Sequence, residues 1–246
     1  NPNSPIPNCH LILDKQKTIY IIVERKKVKY LIKERKIKKN NIIEPKKFQD
    51  FIKSLKGKKI QIDEKTCSTY HENIINKKFK ILGKEDPIYL LKSIKNKNEI
   101  QNMIDCHISD GIALTKFLYW IKNINKKDIT EFEAQTKLEN FRKKNKNYLY
   151  PSFNTIAGSG SNGAIVHYKA TKNKTKKIKK EDIFLCDSGG QYKYGTTDVT
   201  RTICFSKPKK SIKNIFTRVL KGHIAVAEIN LKENFMGKLI DLAARK

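Results

Sequence analysis

The sequence predicts a mixed α/β (α+β) protein built in two parts, and three observations carry that prediction. Up to about residue 84, short runs of β-branched residues alternate with a helix-spaced run. A break follows at GKEDPIY (83–89), beyond which apolar residues recur at helical spacing over long stretches. From Pro151 the texture changes to short apolar runs set between Gly, Ser and Asn turns.

The opening NPNSPIPNCH reads as a Pro/Asn turn running into a strand. It has neither a basic leader before an apolar core nor an Arg-rich amphipathic pattern, so no targeting peptide is expected. CHLILD, TIYIIVE and VKYLIKE, between residues 9 and 37, are rich in β-branched residues and predicted to be extended. Phe48, Phe51, Ile52 and Leu55 fall at three-to-four spacing, which predicts a helix stopped at Gly57. KKIQIDE then reads as another strand.

In the second part, Ile100, Ile104, Ile108 and Ile112 form a stripe flanked by Met103, Leu114, Phe117, Leu118 and Ile121. This predicts a helix from about 98 to 122 with the stripe as its core face and His107 as a packing residue. Thr130 with Glu133 has capping-box spacing, and Phe132, Leu138 and Phe141 continue a second amphipathic helix. SFNTIAGSGSNGAIVHYKA and DIFLCDSGGQYKYGTTDVTRTICF read as short strands around turns. TKNKTKKIKK between them reads as a solvated loop. A helix spans Ile212 to Val226, and another begins near Gly237.

Composition narrows the function. With 38% hydrophobic residues the chain can bury a core. Its longest apolar stretches, such as Ile19 to Val23, fall far below the roughly 20 residues a membrane span needs. Five cysteines, odd in number and without Cys-x-x-Cys spacing, read as free thiols in a reducing cytoplasm. A formal charge of +29 raises the alternative of a charge-driven nucleic-acid binder. Yet only six of the 53 basic residues are arginine, the side chain that base readers and phosphate clamps favour. Lysine interspersed with Ile and Asn is what an AT-rich coding sequence produces, and no specific nucleic-acid partner is expected.

The chemistry-bearing residues are Asp187 and Asp198, eleven positions apart. A period of two puts Ile183, Leu185 and Asp187 on one strand face, and Thr196, Asp198, Thr200 and Thr202 on another. Antiparallel pairing of the two runs would aim both carboxylates into one space, where cations would have to offset their repulsion. In the alternative, each aspartate hydrogen-bonds turn amides near SGGQY and GTT.

The string DSGGQYKYGTTDVTRT resembles the signature of aminopeptidase P within the pita-bread metallopeptidases. The resemblance extends to SGSNGAIVHYK, to the helix beginning SIKNKNEIQNMIDCHISDGIALTKFLYWI, and to the first 84 residues. It implies the C-terminal part of a creatinase-N-like middle domain over 1–84. The N-terminal half of a pita-bread catalytic domain would then occupy 85–246. It further implies Asp187 as ligand of one metal and Asp198 as a bridge between two divalent ions, usually Mn²⁺. His167 would serve catalysis from the substrate pocket, and His10, His71, His107 and His223 would have no part in the chemistry.

The implied activity is release of an N-terminal residue that precedes proline, in a cytoplasmic enzyme that could form a homodimer. A noncatalytic pita-bread binding module is the alternative within the fold. In the family pattern a histidine and two glutamates complete the ligand set. The chain reads as a fragment carrying two of five ligands, and by itself is expected to be inactive.

Overall fold

The computed structural model describes residues 9–124, 129–230 and 237–245. The expected turn over residues 1–8 lies outside them. The chain divides into two compact units, Asn1–Gln101 and Asn102–Lys246, each with its own apolar clusters.

In the first unit, β1 (His10–Leu13) pairs antiparallel with β2 (Ile19–Ile22). The VKYLIKE segment is not extended: residues 25–28 form a 3-10 turn and α1 (Lys29–Lys33) follows. Val28, Leu31 and Ile32 sit at three-to-four spacing and pack with Val23 and Ile42, so packing on one side overrides their β propensity. β3 (Ile42–Ile43) joins β2 in parallel, and α2 (Phe48–Ser54) gives Phe48 and Ile52 to a second cluster with Ile22. The parallel pair β4 (Lys59–Ile62) and β5 (Lys80–Gly83) is linked through α3 (Thr69–Asn76). Ser68 caps α3, its hydroxyl accepting from the His71 amide. Asp86 caps α4 (Pro87–Ser93), where proline takes the first turn that needs no N–H donor.

The long helix α5 (Lys97–Asn123) starts on a reciprocal cap, Asn96 N–H to Glu99 and Glu99 N–H to Asn96. Its expected core stripe is solvent-exposed: Ile100, Ile104, Ile108 and Ile112 are all about half accessible. The buried face is Cys106, Asp110, Ala113, Leu114, Phe117 and Ile121. A strict four-residue row drifts by about 40° per step around a helix, whereas the buried set stays in line with the sheet beneath it. A buried aspartate within that set disguises it as polar. His107 is likewise exposed rather than packed, its ring nitrogen 2.9 Å from the Met103 carbonyl.

The capping box of Thr130 and Glu133 opens α6 (Glu131–Arg142). Strands β6 (Tyr148–Pro151), β7 (Ile156–Ser159), β8 (Ile183–Ser188), β9 (Gly190–Tyr192) and β10 (Val199–Cys204) follow. They form one sheet ordered β10-β8-β7 and a two-stranded β6-β9 pair, all antiparallel. Phe184, Cys186 and Ile203 meet Leu114, Phe117, Ile121 and Leu138 in the main core.

Two loop expectations change. Only Ile156–Ser159 of the SFNTIAGSGSNGAIVHYKA run is a strand, and residues 160–164 make a 3-10 turn. TKNKTKKIKK is not simply solvated, because Ile178 is buried in the main core and Thr175 accepts the Phe132 amide at the start of α6. The chain closes on α7 (Lys210–Ala227) and α8 (Gly237–Arg245). Among the described residues no helix is long and apolar enough to cross a membrane.

Candidate metal centre

The central strand β8 alternates strictly, with Phe184, Cys186 and Ser188 buried and Ile183, Leu185 and Asp187 half-buried on the opposite face. Asp187 stands between Ile156 on β7 and Thr200 on β10. The Thr200 hydroxyl donates to Asp187 at 2.9 Å, leaving the other carboxylate oxygen open. Asp198 directly precedes β10, two residues from Thr200, the spacing at which an extended chain returns to the same face. It is exposed and makes no hydrogen bond or ion pair among the described residues.

The loop joining the two strands fixes this register. Thr197 N–H donates to the Gly190 carbonyl and Gly190 N–H donates to the Thr197 hydroxyl, both at 2.9 Å, and Tyr192 N–H reaches the Gly195 carbonyl at 2.8 Å. Gly189 admits no side chain, since a Cβ there would collide with the Thr197 carbonyl and the Ser152 hydroxyl. The eleven-residue spacing is therefore the length of one excursion through β9 that returns Val199 opposite Ser188.

Beneath the strand lies a buried polar network that no spacing in the sequence revealed. The guanidinium of Arg142, fully buried, donates to Asp110 at 2.7 and 3.0 Å and to the Ser188 hydroxyl at 3.1 Å. Tyr192 donates its hydroxyl to Asp110 at 2.8 Å. Burial, then the bond to Asp110, raises the Tyr192 hydroxyl well above its ordinary range, so it stays a donor. The cue in the sequence was positional: Arg142 repeats the Glu131, Ala134, Leu138 face of α6 that meets the core.

His167 follows the 3-10 turn with a left-handed backbone, φ 55°, and is exposed. That turn folds back over the sheet. A Cβ on Gly158 would lie 2.7 Å from the Gly163 backbone, and one on Gly163 would lie 3.5 Å from Leu185. Leu185 and Asp187 share a face, so the segment leading to His167 runs over the carboxylate side of the sheet. No hydrogen bond among the described residues joins His167 to either aspartate.

Two carboxylates on one face offer the hard oxygen donors that divalent ions such as Mg²⁺ and Mn²⁺ take. Among the described residues no group of three or more His, Cys, Asp or Glu side chains gathers as a metal site. The donor types thus fit a hard cation in kind.

Residues 101–246 match metallopeptidase family M24, and residues 1–99 match the creatinase/prolidase N-terminal domain. A probable Xaa-Pro aminopeptidase P of Paracoccidioides brasiliensis is 46% identical over 163 residues, 65% of this chain and 26% of the relative. The Xaa-Pro aminopeptidase ApepP of Drosophila melanogaster is 40% identical over 181 residues, 73% of this chain and 30% of its own length.

Among solved structures, the X-prolyl aminopeptidase of Caenorhabditis elegans, a cytosolic enzyme with a di-nuclear active site, superposes with a TM-score of 0.79 and 27% identity. The match covers 99% of this chain and 41% of that one. The prolidase of Pyrococcus furiosus gives 0.71 and 25%, covering 98% of this chain and 68% of its own. The chain spans less than a third of the curated relatives it matches. It carries a creatinase/prolidase N-terminal domain followed by a pita-bread segment, and it belongs to metallopeptidase family M24.

Proposed function

We propose that this chain is part of a metal-dependent aminopeptidase that releases the first residue of peptides with proline second. The observation that supports the reading is the pairing of Asp187 with Thr200, two residues beyond Asp198, across the β8/β10 pair inside the family match. Relatives 40–46% identical that are named Xaa-Pro aminopeptidases support the substrate class.

Asp187 and Asp198 would contribute to holding two divalent ions. Hard oxygen donors favour Mn²⁺ over thiolate-seeking metals. When bound, such a pair supplies a hydroxide-like nucleophile near neutral pH and polarises the scissile carbonyl. Thr200 acts on the ligand itself: by donating to one oxygen of Asp187 it fixes which oxygen faces outward. Gly189 and Thr197 hold the second aspartate in register with the first. His167, on the segment crossing the same face, orients the peptide or carries a proton. A bond preceding proline has no N–H for a general peptidase to grip, and a carbonyl attacked in this way needs none.

The reading extends to a cytoplasmic enzyme acting as a homodimer, with 1–84 as the end of a noncatalytic middle domain and 85–246 as the first half of the catalytic one. The assay is release of the N-terminal residue by the Mn²⁺-loaded protein, comparing Xaa-Pro with Xaa-Ala peptides. Cleavage of the proline peptide alone is expected. Equal rates on both would overturn the substrate class and leave the metallopeptidase reading standing.

A further inference from the structure

Glu131 is fully buried, yet among the described residues no cation pairs with it. Its carboxylate is instead filled by donors from one segment. One oxygen accepts from the Ser159 amide at 2.8 Å and the Asn162 side chain at 3.0 Å. The other accepts from the Tyr168 hydroxyl at 2.7 Å, the Lys176 amide at 2.9 Å and again Asn162 at 3.1 Å. The backbone joins in, Glu131 N–H donating to the Lys176 carbonyl at 2.9 Å.

These partners span the whole excursion that carries His167: its start at Ser159, its turn at Asn162, the residue after the histidine, and its return at Lys176. Burial, then the bond to Glu131, pushes the Tyr168 hydroxyl up to about 12, so it donates throughout the working range. His167 itself adopts a left-handed backbone, which a non-glycine residue keeps only where its surroundings enforce it. Its side chain makes no hydrogen bond among the described residues that could do so. The enforcement comes from the neighbours on either side, and both lead to Glu131.

We propose that Glu131 is a positioning residue: it acts through the 159–176 segment to set where His167 meets the substrate. The proposal rests on the substrate role given to His167 above. A glutamine is not equivalent, because its amide nitrogen would face a donor-only backbone amide at either oxygen position and orphan Ser159 N–H or Lys176 N–H.

The test compares Glu131→Gln, His167→Ala and the double variant in the Mn²⁺-loaded enzyme containing this chain. Amide exchange and Mn²⁺ affinity are measured alongside kcat and KM. Expected for Glu131→Gln are exchange over residues 160–169 faster by about tenfold, KM for an Xaa-Pro peptide raised by a similar factor, and unchanged Mn²⁺ affinity. Because Glu131 acts through His167, the double variant should show the KM of His167→Ala alone. Multiplying KM effects, or wild-type exchange over 160–169, would overturn the proposal. Should Glu131→Gln not fold, Tyr168→Phe removes one donor and keeps the carboxylate, and a smaller change in exchange and KM is expected; no change overturns the proposal. If His167→Ala leaves KM unchanged, the substrate role of His167 falls. The exchange arm then reads Glu131 alone: faster exchange shows that it holds the 159–176 segment but leaves it no histidine to position, so the proposal falls with that role, and wild-type exchange overturns it outright.

Discussion

Replacing Arg142 by methionine should unfold the second unit far more readily than its volume change suggests. Asp110, only 2% exposed, would lose both guanidinium bonds and keep the Tyr192 hydroxyl as its remaining donor. Stranding one member of a buried pair costs about 3–5 kcal/mol. With a urea dependence of about 2 kcal/mol per molar, the midpoint should fall by about 2 M. Asp110→Leu should cost as much, because it strands a guanidinium left with the Ser188 hydroxyl alone. The double variant Asp110→Leu/Arg142→Met removes both charges and orphans only the Tyr192 and Ser188 hydroxyls, so it should cost about 1–2 kcal/mol, less than either single change. The only tryptophan is Trp120. Its fluorescence reads the second unit alone, free of signal from the first. Single-variant costs that simply add in the double variant would refute the pair as the unit that holds β8 and β9 down.

Other outcomes follow from groups outside the metal face. Burial first, then the neighbouring His10, holds the His71 imidazole below its ordinary 6.5. The unfolded chain then takes the proton before the folded one, so first-unit stability is full above about pH 6.5 and declines below it. Amide exchange of α3, corrected for intrinsic rates, should accelerate between about pH 7 and pH 5, and His71→Phe should flatten that profile. Burial pushes the Cys186 thiol up to about 12 and the Cys106 thiol up to about 11. Iodoacetamide at about pH 8 should therefore modify Cys204 in the native protein and reach Cys106 and Cys186 only on unfolding, as mass spectrometry can show.

The strand phase of Asp187 was legible in the sequence because it rests on a period of two: the phase of DIFLCD put Asp187 on the face opposite the core, where β8 carries it. The capping box at Thr130 and the stop after α2 were legible for the same local reason. What periodicity misread were segments whose partners lie elsewhere in the chain. VKYLIKE has β-branched composition but a helical set of contacts. In α5 the apolar row is exposed and the buried face contains Asp110, whose donors Arg142 and Tyr192 lie 32 and 82 residues on. Glu131 and the lysine-rich loop escaped for a related reason, since a charged residue reads as solvated until its donors are known. His167 was singled out through the resemblance of its segment, whereas its left-handed backbone is a property of the folded chain.

The measurement that tests the central claim most directly is the location of metal in crystals of this chain soaked with Mn²⁺, read from anomalous scattering. The account expects a peak within about 2 Å of carboxylate oxygens from both Asp187 and Asp198, with the Thr200 hydroxyl still bonded to Asp187, and its loss in Asp198→Asn. Manganese bound elsewhere, or the two carboxyl groups held more than about 8 Å apart, would contradict it.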